Sequence, residues 1–151
     1  MEVRVSYNAW SDQLTVQFGE GANAYPLSIR DEIQVWFDYT QLWRRVEQRE
    51  TEFPDVIMLE VRSFEAEDWK FLHGIFPDYL VSCMRDLYHT GKARQLPDLN
   101  QLDDSEVEEA LRQGSFRGQV HLHDGELDKP RIFFAALECF MDSVEQRKLN
   151  C

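Results

Sequence analysis

The sequence predicts an α+β fold. Three observations carry this. Apolar residues alternate with polar ones near the start of the chain, a short and almost continuous apolar run lies near its middle, and apolar residues recur at helical spacing through most of the rest. The inferred order is ββ-α-β-αα-α-β-α, without regular βαβ alternation, so the expectation is a small mixed β-sheet, an N-terminal hairpin plus two further strands, packed with four to five helices. The length of 151 residues fits a single domain, 1–151, able to bury a core without disulfides or a metal. No internal repeat, low-complexity tract or linker marks a second domain.

The hairpin is read from Val3, Val5 and Tyr7, then Leu14, Val16 and Phe18, with turn chemistry at Asn8-Ala9-Trp10-Ser11-Asp12 between them. Residues 19–23 follow as a flexible loop. Ser28 with Asp31 resembles a capping box, and Ile29, Ile33, Trp36, Phe37, Thr40, Trp43 and Val46 recur at helical spacing. One long helix over this stretch is the preferred reading. The competing one is a strand at Ile33, Val35, Phe37 and Tyr39 with a helix only from Thr40. The run DVIMLEV at 55–61 suits a strand covered on both faces.

Residues 65–76 carry Trp69, Leu72, His73 and Phe76 on one helical face. Pro77 suits the opening of a second helix, striped by Leu80, Cys83, Met84, Leu87 and Tyr88 and stopped by Gly91. Residues 95–104 form a connector. Ser105 with Glu108 reads as another capping box, opening a short helix that Gly114 ends. Residues 117–123 alternate as a strand, Asp124-Gly125 turns, and Pro130 opens a terminal helix with Ile132, Phe133, Ala136, Leu137, Phe140, Met141 and Val144 facing inward.

Charge and composition narrow the function. Twenty-eight acids against 16 Lys and Arg give a net charge of −12, which repels nucleic-acid phosphates. Aromatic content of 13% excludes wholesale disorder. No apolar run approaches the roughly 20 residues of a membrane span, and the opening MEVRVSYNAW lacks a cationic region followed by an apolar stretch. Cys83, Cys139 and Cys151 are odd in number and far apart, which suits reduced thiols in a cytoplasmic protein. No phosphate-binding glycine loop, dinucleotide fingerprint or nucleophile elbow is present, and no cofactor is expected.

Two constellations stand out. Between Gln95 and Leu111 there are six acids and no Lys or Arg; Asp103, Asp104, Glu106, Glu108 and Glu109 gather around a helix start, where the helix dipole favours negative charge. They are the expected partner-binding surface, steering a basic protein by long-range attraction. Trp10, on a hairpin turn among polar neighbours, is the outside candidate for an aromatic anchor. His121 and His123 lie two apart on an inferred strand, so both imidazoles could reach one ion, with Asp124 as third ligand or orienting group; the spacing is weakly specific, and no metal site is assigned. Trp36, Trp43 and Trp69 are read as core.

The expected function is therefore a small acidic cytoplasmic inhibitor that caps a basic protein, as an immunity protein occludes a nuclease toxin. The alternatives are a chaperone or adaptor domain holding a protein client, which requires an exposed apolar patch, and a metal-dependent enzyme using His121 and His123.

Overall fold

The computed structural model describes residues 1–21, 23–62, 64–123 and 125–149. Strands β1 (Glu2–Asn8), β2 (Gln13–Gln17), β3 (Ala24–Arg30), β4 (Ile33–Asp38), β5 (Val56–Val61) and β6 (Ser115–His121) form one sheet in the order β3-β4-β5-β2-β1-β6. Every pairing is antiparallel. Helices α1 (Tyr39–Val46), α2 (Ala66–Ile75), α3 (Asp78–Ala93), α4 (Asp104–Gln113) and α5 (Lys129–Leu149) complete an α+β fold.

The two-residue period of the strands divides the sheet into a dry face and an open one. Val3, Val5, Tyr7, Leu14, Val16, Ile33, Val35, Phe37, Leu59 and Val61 are all buried, and they join Leu72 of α2, Leu80 and Met84 of α3, and Ile132, Phe133 and Ala136 of α5 in one core. The alternate residues, such as Arg4, Ser6, Thr15, Gln17 and Gln34, point the other way and are half-buried or exposed. The 55–61 run is correspondingly an antiparallel strand with one dry face, since Met58 and Glu60 are only half-buried; it is not covered on both sides.

The N-terminal hairpin forms as expected, with Tyr7 opposite Leu14. The Asn8 side chain accepts from the backbone N–H groups of Trp10 and Ser11, and Asp12 takes a left-handed φ of 54° while accepting a hydrogen bond from the Tyr7 hydroxyl.

The long helix expected over 28–46 does not exist. The chain instead makes a second hairpin, β3 and β4, and only then α1. The competing reading, strand first and helix near Thr40, is correct, and the extra pair enlarges the sheet to six strands. The turn is Asp31-Glu32, with Glu32 held at φ 63°. A Glu in that region is unfavourable and gives no turn signal in the sequence, which is why the hairpin was hidden. β3 is an edge strand, where Pro26 costs no ladder bond, and its pairing is bulged between Ser28 and Arg30.

Smaller departures have local causes. Glu65 and Asp68 form a reciprocal capping box at the start of α2, and the buried Asp68 carboxylate accepts from Arg30 Nε at 2.8 Å. Pro77 caps α3 from outside its first turn. Gly91 does not stop that helix, which runs on to Ala93. α4 is capped by Asp103, whose side chain accepts from Glu106 N–H at 2.9 Å, and not by Ser105. Trp69 is buried as expected, but Trp36 is half-buried on the open sheet face and Trp43 is exposed on α1. The fully buried stripe of α5 ends at Ala136: Leu137, Phe140 and Met141 are exposed, while Cys139 and Val144 beyond it are half-buried.

Candidate protein-binding surfaces

α4 presents the acidic surface. Asp103, Asp104, Glu106, Glu108 and Glu109 are all exposed. Their charges are not equally available. The Asp103 carboxylate is engaged in the cap, accepting from Glu106 N–H and from the Ser105 hydroxyl, and these bonds hold its carboxyl below the usual carboxylate range. Glu108 and Glu109 share Arg112, at 3.1 and 3.7 Å. Asp104 and Glu106 make no ion pair among the described residues. Exposed pairs of this kind contribute little to stability, so the five acids leave a net negative field over the first turns of the helix.

Trp10 joins this surface in a way the sequence did not reveal. Its indole Nε1 donates to the carbonyl of Ala110 at 3.1 Å, and its ring lies against Gly114, where a Cβ would collide with it. The backbone N–H of Ala9 also donates to Gly114 O at 2.8 Å. The β1–β2 turn thus clamps the C-terminal end of α4. Trp10 is half-buried and acts first as a brace for the acidic helix, with only part of its ring left in solvent.

His121 and His123 do bring their rings together, 5.3 Å between centroids. Each faces a carboxylate: His121 Nδ1 lies 2.8 Å from Glu2 Oε1, and His123 Nε2 lies 3.9 Å from Glu126 Oε1. The Tyr79 hydroxyl also donates to Glu126, which holds that carboxyl below its ordinary range. Among the described residues no group of three or more His, Cys, Asp or Glu side chains is arranged to hold a metal ion. Asp124, the expected third member, lies outside the described residues.

Burial pushes the thiols of Cys83 and Cys139 up, with nearby carboxylates adding to the shift, so neither is poised as a nucleophile. Cys151 lies outside the described residues.

The surface that sequence reasoning missed is apolar. On α5, Phe134 is 49%, Leu137 39%, Phe140 54% and Met141 52% exposed. Phe134 rests on Phe53, 5.5 Å between centroids, and the Arg45 guanidinium stacks on that same Phe53 ring, 4.3 Å from its centroid. On α1, Tyr39, Trp43 and Val46 are also exposed, at i, i+4 and i+7. An inward helical stripe and an outward one have the same spacing, so periodicity alone could not separate them.

Among the described residues no helix is long and apolar enough to cross a membrane. No protein-family model, curated protein sequence or solved structure matches this chain.

Proposed function

We propose that this chain is a cytoplasmic protein-binding domain that engages and occludes a basic partner, in the manner of an immunity protein acting on a nuclease toxin. The observation that carries the reading is the placement of Asp103, Asp104, Glu106, Glu108 and Glu109 in solvent on one short helix that Trp10 braces against the sheet. Preformed charge on a rigid element costs little ordering on association and steers an oppositely charged protein toward it. A chain of net charge −12 reinforces that field at long range.

The test is capture from native lysate with the full chain as bait, followed by identification of what binds, beside a bait carrying Asp103→Lys, Asp104→Lys and Glu106→Lys. The expected result is a basic protein held by the first bait and lost from the second, with both baits folded. Retention of the same partner by the charge-reversed bait sinks the role of α4.

A second reading, a chaperone or adaptor domain holding a client, is favoured by one observation, the exposed apolar residues of α5. Loss of client capture on Leu137→Glu, with the α4 variant unaffected, supports it over the first.

A further inference from the structure

We propose that the outer face of α5 pairs antiparallel with α5 of a second copy of this chain. Phe134, Leu137, Met141 and the half-buried Val144 fall at i, i+3, i+7 and i+10. That is the alternating three- and four-residue step of a helix–helix seam over two heptad repeats, on a face that the described residues leave mostly in solvent, with Phe134 alone resting on a ring of another segment, Phe53. A two-fold interface must be self-complementary: if one residue meets another, the reverse contact is made too. The seam meets this condition. Turned antiparallel about its middle near Cys139, Phe134 falls opposite Val144 of the other copy and Leu137 opposite Met141, and both pairs recur by symmetry.

The charges identify the occupant. Arg131, Glu138 and Glu145 recur at seven-residue intervals along one flank of the seam, and all three are exposed without an ion pair among the described residues. In the antiparallel arrangement Arg131 of each copy lies beside Glu145 of the other, giving two opposite-charge contacts; Glu138 meets its own copy near the axis, one unfavourable contact against two favourable ones. A uniformly basic helix in the same place would pair with the glutamates and repel Arg131. A parallel copy would set Arg131 far from Glu145. Two heptads of seam lie at the small end of interface sizes, so the association is weak and concentration-dependent.

Sedimentation of the full chain from about 5 to 500 μM, near physiological salt, tests this. The expected result is a mass that rises toward the dimer, and a monomer throughout for Leu137→Glu. Arg131→Glu and Glu145→Arg each weaken the dimer by about tenfold, since each turns two attractions into two repulsions, and the double variant returns to within about threefold of the parent. All of these residues are exposed, and circular dichroism melting confirms that each variant is folded. A parent that stays monomeric to 500 μM overturns the proposal. So does a dimer that survives Leu137→Glu, or a double variant that is no tighter than either single one.

Discussion

Gly91, inside α3, lies so close to the ring of Tyr7 on β1 that a Cβ at position 91 would sit well inside van der Waals contact of its Cδ1 and Cε1, with Phe116 Cδ2 a further 3.2 Å neighbour. The glycine sets how closely the helix approaches the sheet. The Tyr7 ring also meets Phe64 and Tyr88 edge-on, at 5.9 and 5.5 Å, so it has nowhere to move. Gly91→Ala gains up to about 1 kcal/mol in helix propensity but forces this contact apart. Overpacking of that kind costs about 1–3 kcal/mol. A net destabilisation is expected in urea unfolding, and a stabilised variant would show that α3 can shift freely.

Trp10→Phe and Trp10→Ala separate the two parts of the Trp10 brace. The first removes the hydrogen bond to Ala110 and keeps most of the ring, for a cost of about 0.5–1.5 kcal/mol. The second removes the packing on Gly114 as well, and the half-buried ring makes about 2 kcal/mol a fair expectation. Amide exchange should rise first in α4. Exchange that rises evenly over the whole sheet would argue against a local clamp.

Neighbouring phenylalanines on α5 should behave oppositely. Phe133 is 5% exposed and touches Phe37 and Phe53, so Phe133→Ala is expected to cost about 3–5 kcal/mol. Phe140 stands in solvent, and Phe140→Ala should cost less than about 1 kcal/mol when measured at low protein concentration. Equal costs would mean that the C-terminal half of the helix is covered within the monomer.

Asp55 supplies a pH dependence. Its carboxylate accepts from the Lys129 ammonium and from Gln41 Nε2, and Lys129 above all holds its carboxyl below the ordinary value of 3.8. A depressed folded-state value means that the contribution is present at and above the unfolded value and is lost as pH falls through the folded one. Lys129→Gln should therefore lower stability at neutral pH, modestly because both side chains are partly exposed. The deficit should fade as pH drops below about 3.8. A deficit that persists unchanged at about pH 2 would assign it to packing instead.

Association with a basic partner should be governed by charge in its rate. Raising salt from about 0.05 to 0.5 M shortens the screening length from roughly 14 to 4 Å. The association rate is expected to fall about tenfold or more while dissociation changes less, as stopped-flow mixing would show. A flat association rate across that range rules out steering by the α4 acids.

The sequence by itself determined the elements whose signals are local. The Asn8–Asp12 turn, the apolar run of β5, the helices opened near Glu65 and Pro77, and the acidic character of α4 all follow from side-chain chemistry acting over a few residues. Tertiary structure decided what period and propensity leave open. The stretch 28–38 has apolar residues compatible with both a helix and two strands, and it became a hairpin because β4 pairs with β5 and buries Ile33, Val35 and Phe37, at the expense of a left-handed Glu32. Gly91 reads as a helix stop until Tyr7 is placed beside it, and Trp10 reads either as tucked under its hairpin or as an exposed anchor until α4 is brought under it. The stripe of α5 was legible as apolar, but its direction was not. Which side of a helix is dry depends on what the fold packs against it, and on α5 that leaves Ile132, Phe133 and Ala136 buried but Phe134, Leu137, Phe140 and Met141 in solvent.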